Sequence, residues 1–161
     1  MDVLIMDMGE KVRGESSLPD YQGKIELLSF SHGVAMQITG DISSSERTSG
    51  KPNHQDMTVT KYLDATSPIL NQACCEGVSF PQVDIIVGRN DGGKVIQLIR
   101  YTMNNVLISS VSVGGGGGGG PVETLTLNYN RITWTFYPQK SLAGRKEVVE
   151  GRWDLAKNVA K

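Results

Sequence analysis

Apolar and polar positions alternate with a period of two along most of the chain, the pattern of strands with one buried face. In residues 24–38, Leu28, Phe30, Val34, Met36 and Ile38 share one parity with His32, whereas Ser29, Ser31, Gly33, Ala35 and Gln37 share the other. This reads as one long strand whose second face is made of small residues, able to stay wet or to line a cavity. A short first strand carries Val3, Ile5 and Met8, and residues 55–62 set Met57 and Val59 against Thr58 and Thr60. Residues 83–87 form another strand, Asp91-Gly92-Gly93 signals a hairpin into residues 94–103, and residues 106–113 return to strand. Residues 123–137 give the longest strand pattern. Leu125, Leu127 and Tyr129 hold one parity there, and Ile132, Trp134 and Phe136 the other. A parity switch near Asn130 implies a β-bulge or a strand that leaves one sheet for another. Residues 148–155, anchored by Trp153, close the series.

Helical spacing occurs in one place. Thr66 or Ser67 can cap a helix there, Pro68 suits its first turn, Gly77 suits its stop, and Ile69, Leu70, Ala73 and Cys74 form its apolar stripe. So short a helix covers an edge or an end of a sheet. Residues 13–23 read as a polar loop broken by Gly14, Pro19 and Gly23. Residues 39–53, TGDISSSERTSGKPN, form a second polar loop of a length that is usually functional or disordered. Eight or nine strands, one helix and several hairpin-length links make the chain mainly β, a barrel or a curved sandwich with a helix capping part of it.

Composition narrows the function classes. The 161 residues fit a single domain, spanning 1–161. Sixteen basic and 17 acidic residues leave a net charge of −1, which argues against nucleic acid as the main partner. No apolar run reaches the ~20 residues of a membrane span, and Met1–Asp7 lacks the pattern of a signal peptide. Synthesis in the cytoplasm is therefore expected, and any export must read the folded protein. Cys74 and Cys75 are adjacent, so a bond between them is strained, and their spacing is wrong for a redox or zinc motif. They read as reduced, partly buried thiols on the helix.

No constellation for catalysis stands out. The seven glycines Gly114–Gly120 are followed by Pro121 and a strand pattern, without the Lys-Ser/Thr and helix that a phosphate loop needs. They read as a flexible hairpin loop between Val113 and Val122. His32 and His54, the only histidines, lie far apart in sequence on different elements, with no further ligands for zinc. His32 reads as a strand residue on the apolar face and His54 as a loop-edge residue. There is no Gly-x-Ser-x-Gly elbow, and Asp7, Glu10 and Glu15 read as a solvated loop. Neither a cofactor nor a metal is expected, and no enzymatic activity.

An ordered set of segments carries a family resemblance. It comprises Gly14-Glu15-Ser16; Ile25 to Gly33 (IELLSFSHG); Val59-Thr60-Lys61-Tyr62-Leu63-Asp64; Ala65-Thr66-Ser67-Pro68 and the helix with Ala73-Cys74. Ser109-Ser110-Val111-Ser112, the glycine run, Leu125 to Tyr129, Tyr137-Pro138-Gln139, and Trp153-Asp154 with Asn158 complete it. Arg152 separates Gly151 from Trp153, where the family has Gly-Trp-Asp. In this order the chain resembles the haemolysin-coregulated protein (Hcp) family, the tube protein of type VI secretion.

The resemblance implies an antiparallel β-barrel with one short capping α-helix and an extended loop. It implies homohexameric rings that stack into a tube, with a spike protein, a contractile sheath and baseplate components as partners. It also implies secretion to the extracellular space or a target cell, and small effector proteins carried in the lumen. Membrane insertion and nucleic-acid binding are not expected. The extended loop, with Thr39, Asp41, Ser44, Glu46, Arg47, Lys51 and Asn53, is the candidate for contacts between subunits or rings. Ser29, Ser31 and Ala35 are the candidates for the lumen. The competing reading is a monomeric β-sandwich that binds a sugar, which predicts an exposed cluster of aromatics.

Overall fold

The computed structural model describes residues 2–38, 50–139 and 147–161. In chain order it holds β1 (Asp2–Asp7), β2 (Ile25–Glu26), β3 (Ser29–Ser31), β4 (Val34–Ala35), β5 (Asn53–His54), β6 (Met57–Tyr62) and α1 (Ser67–Glu76). Then follow β7 (Ser79–Asp91), β8 (Lys94–Gly114), β9 (Val122–Asn128), β10 (Arg131–Phe136) and β11 (Val149–Asp154). Among the described residues the protein is mainly β and antiparallel with one helix, as the pattern predicts.

Nine strands form one sheet, ordered β2-β1-β7-β8-β9-β6-β3, with β10 and β11 branching from β8. The segment through β2 and β3 joins the two ends. Leu27 N donates to Leu4 O on β1, and the next residue, Leu28, donates to Thr60 O on β6. The core lies inside this curved sheet, where Met6, Met57, Val59, Leu70, Ile85, Met103, Leu125, Leu127 and Ile132 are all fully buried.

Strand β8 organises the rest, because its 21 residues pair along one edge first with β10 and then with β9. The handover falls at one level. Arg131 pairs Asn104, Asn128 pairs Leu107, and between them Asn105 adopts a φ of 50° while its side chain donates to Asn130. The extra residue in each strand flips the inward parity from Tyr101 and Met103 to Val106 and Ile108, and from Leu127 and Tyr129 to Ile132. This is the physical content of the parity switch at Asn130: two strands shift phase together, so both keep an apolar inner face.

Several expected boundaries are corrected. Residues 24–38 do not form one strand. They break into β2, β3 and β4, because the chain changes partner at Leu27–Leu28 and leaves the β3 pairing at Gly33, whose carbonyl accepts from Gln55 N and where an added Cβ would lie 2.9 Å from the Gln55 side chain. Residues 94–113 form one strand rather than two, and residues 123–137 form two rather than one. Met8 is buried just beyond β1.

The glycine run is the tip of the β8–β9 hairpin, which Gly114 and Val122 close as a pair. On α1, Leu70 and Ala73 are buried but Ile69 is exposed. Neither Thr66 nor Ser67 caps the helix through its side chain, because both hydroxyls are committed to carboxylates described below. At the other end Gly77 takes φ 65°, and its N–H meets the last helical carbonyls. Gly77→Ala forces an L-residue into the left-handed region, and thermal melts should show a loss of about 1 kcal/mol.

Candidate functional site

Ser29 and Ser31 lie on the outer face of β3, and the register extends each into a row. Ser29 pairs Thr60, Thr60 pairs Thr124, and Thr124 pairs Ser112. Ser31 pairs Thr58, Thr58 pairs Thr126, and Thr126 pairs Ser110. Between the rows Phe30, Val59, Leu125 and Val111 point to the other side, toward the core. Two rows of hydroxyl side chains thus cross four strands on one face. Four of the eight pair within the rows: Ser29 shares a hydrogen bond with Thr60, and Ser110 shares one with Thr126, which also meets the neighbouring Ser109. The charge at the end of this face, Asp56, accepts hydrogen bonds from Ser109 (2.7 Å) and Asn128 (2.9 Å). The result is a polar wall of hydroxyls with its one charge, Asp56, at the end.

Ala35 is not part of these rows. It sits in a separate two-stranded ribbon, where Val34 pairs His54 and Ala35 pairs Asn53. The ribbon is the base of the extended loop. Of the loop residues named from the sequence, Lys51 and Asn53 are exposed there, whereas Thr39, Asp41, Ser44, Glu46 and Arg47 lie outside the described residues. Val34, Ala35 and Met36, with Pro52, Trp134 and Trp153, line an almost wholly apolar groove. The parity expected to face the core is therefore largely on the surface. Leu28, Val34, Met36 and Ile38 are exposed, and so is Phe136, which pairs the exposed Val149. Phe30 and Trp134 are only partly buried.

The two histidines, far apart in sequence, meet at the root of this ribbon. Their ring centroids are 6.5 Å apart, and both Nδ1 atoms approach the Tyr129 hydroxyl, at 3.3 Å from His32 and 3.4 Å from His54. Tyr129 Oη donates to the Gln55 carbonyl at 3.0 Å, which assigns the Nδ1 protons to the histidines. Burial and the nearby Asp56 raise the tyrosine's pKa, so it stays protonated. His54 stacks on Trp134, and His32 sits edge-on to Tyr101. Burial lowers both histidine pKa values. The Gln55 backbone opposes this at His32, and repulsion from His32 adds to it at His54. Sequence distance concealed this cluster, and the antiparallel pairing of β4 with β5 creates it.

A buried charge cluster roots α1. Lys61, fully buried, lies opposite Glu123 in the β6–β9 register and reaches its Oε2 at 2.7 Å and Asp64 Oδ1 at 2.9 Å. Ser67 donates to Glu123 Oε2, and the Thr66 hydroxyl donates to Asp64. Burial pushes the Asp64 pKa up, but the hydrogen bonds from Thr66 and Lys61 outweigh it and hold the carboxyl below its usual range. The signal for this cluster was present in the sequence. Lys61 shares the inward parity of Met57 and Val59, and Glu123 that of Leu125 and Leu127, so opposite charges occupy core positions on two strands. Asp64 borders a cavity of about 200 Å³ with Glu15, Ser16, Glu26, Tyr62 and Leu63, while Lys61 and Glu123 are enclosed and tie β6, β9 and α1 together as a structural joint.

Among the described residues, no group of three or more His, Cys, Asp or Glu side chains could hold a metal ion, and no helix is long and apolar enough to cross a membrane. Cys74 is partly buried and Cys75 exposed, both as free thiols. The family model described as "Type VI secretion system effector, Hcp" matches residues 5–136. The chain belongs to the Hcp family of type VI secretion. Protein hcp1 of Pseudomonas aeruginosa is 32% identical over 151 residues, covering 92% of both chains. A solved structure of a type six secretion system protein superposes with a TM-score of 0.89 at 27% identity over all of both chains. Hcp1 from Salmonella typhimurium shares the fold, with a TM-score of 0.81 at 19% identity over 99% of each chain. The Hcp match spans β1 to β10 and so includes both hydroxyl rows, the ribbon and the charge cluster.

Proposed function

We propose that the chain is a structural subunit of the type VI inner tube. Six copies close into a ring, rings stack into a tube, and the hydroxyl rows of β3, β6, β9 and β8 line its lumen. The observation that carries this reading is the wall itself. An extended sheet face of neutral hydroxyl side chains, part of them paired with one another, suits a passage that must hold a protein without trapping it. A cyclic ring is built from a heterologous interface, which needs two unlike surfaces on each copy. The exposed apolar surface around Val34, Met36 and Phe136 is of the kind that marks such interfaces.

In this reading the chain is made in the bacterial cytoplasm and leaves through the secretion machine. Its partners are itself, the spike protein, the contractile sheath and baseplate components, and small effectors inside the ring. Its work is mechanical. Ser29 and Ser31 are the lumen residues, and Lys51 and Asn53 belong to the contact loop. The sugar-binding alternative is disfavoured by the groove chemistry. Trp134 and Trp153 could stack on a sugar ring, but their groove offers almost no polar atoms to its hydroxyls.

Ser31→Arg tests the lumen assignment, because Ser31 is exposed on the hydroxyl-bearing face of β3. The variant should keep the ring in sizing chromatography and lose about tenfold or more in effector retention in co-purification, the size of effect that one desolvated charge produces. Loss of the ring would place Ser31 in a subunit interface instead.

A further inference from the structure

The chain's two histidines and one buried phenol fasten the β4–β5 ribbon to the sheet. We propose that this fastening is a proton-sensitive latch: below neutral pH the ribbon, and with it the base of the extended loop, detaches from the body while the sheet stays folded.

The geometry sets the sign. Tyr129 gives its single proton to the Gln55 carbonyl, so each histidine must donate from Nδ1 to the tyrosine oxygen. A second proton on His32 can then go only to Nε2, which is buried without a hydrogen-bond partner among the described residues. A buried N–H with no acceptor is costly, and a buried unpaired charge more so. Protonating both rings would also set two like charges with centroids 6.5 Å apart. The groups facing the pair are Tyr101 on β8, Tyr129 after β9, Trp134 on β10 and the Gln55 carbonyl. The carboxylate next to the cluster, Asp56, is turned to Ser109 and Asn128. No described carboxylate bonds either imidazole, so none stabilises the cation.

Both imidazoles titrate below the ordinary value of about 6.5, because burial disfavours their charged forms. The neutral state is the one the fold prefers, so the latch is fully closed above about 6.5. It weakens as pH falls below that value, where the open form binds protons that the closed form resists. Asp64 responds in a different window. Its depressed pKa stabilises the helix joint above the carboxylate range, and that contribution fades only as pH falls through and below about 4.

If the loop makes the contacts between subunits or rings, opening the latch would loosen the assembly in an acidic compartment; this consequence rests on the proposed tube function, but the latch itself does not. The test is amide exchange on the whole chain from about pH 7.5 to about pH 5, corrected for the intrinsic pH dependence of exchange, alongside the NMR titration of the two imidazoles. Both histidines should protonate below 6.5. Amides of the ribbon residues Val34, Ala35, Asn53 and His54 should lose about tenfold or more in protection across this range, while those of β6 and β9 stay protected. Fluorescence should change with the same midpoint, since the chain's two tryptophans, Trp134 and Trp153, both line the groove beside His54. In the double variant His32→Gln, His54→Gln the exchange of the ribbon should no longer depend on pH. Ribbon protection that stays constant while both histidines titrate would overturn the proposal, as would imidazoles already charged at pH 7. If the double variant does not fold, the wild-type exchange and titration curves decide by themselves. A chain whose ribbon opens in acid but which forms no ring at any pH would retain the latch and lose the tube reading.

Discussion

Lys61→Ala will destabilise the fold by about 3–5 kcal/mol, the cost of removing one partner from a buried ion pair. The variant leaves Glu123, itself almost fully buried, with only the Ser67 hydroxyl on Oε2 and no partner on Oε1. Asp64 is better placed to adapt, because its side chain reaches solvent. The loss appears at the junction of β6, β9 and the first turn of α1, so helix amides should exchange before those of β7 and β8. In a chain of this size the melting temperature should fall on the order of 10 °C. The double variant Lys61→Met, Glu123→Leu should recover most of the stability, because apolar replacement of a whole buried pair is often neutral or favourable. Thermal denaturation of the three proteins checks this. A Lys61→Ala chain as stable as the parent would show that the cluster contributes little to the fold.

The second large effect is on assembly. Val34→Asp should leave the monomer folded, since Val34 is 53% exposed, and should abolish the ring. A carboxylate inserted into a closed apolar contact loses its water without gaining a partner. That penalty recurs at every interface of a ring, so a weakening of about 100-fold or more per contact leaves only monomer at micromolar concentration. Sizing chromatography with circular dichroism separates the two outcomes. A variant that still forms rings would place the Val34–Trp134 groove outside the subunit contact.

The elements that could be read from the sequence are those specified by local chemistry. The helix stops at Gly77 because a left-handed residue is needed there, and the hairpin at Asp91-Gly92-Gly93 turns where the glycines permit it. The parity switch at Asn130 announced the change of partner from β9 to β10, since a strand cannot change its buried face without an extra residue. The small-residue parity of Ser29 and Ser31 belongs to a real outer face, though only the register showed that three further strands continue it. The misread elements depend on distant partners. Residues 24–38 alternate as one strand would, yet the chain trades β1 for β6 at Leu27–Leu28, and its apolar parity then emerges onto the surface. Alternation reports that a face is apolar. It does not say whether the chain's own core or another surface covers it. The His32–His54 meeting was invisible for the same reason, because it is made by ribbon pairing and by a tyrosine 75 residues beyond His54.

An Hcp-family chain that works as a ring has the mass of six copies in solution. Light scattering on the sized, purified protein, with negative-stain images of the same fraction, should show a particle of six copies with a central opening. A monomer of 17.5 kDa at every concentration, with no rings on the grid, would contradict it.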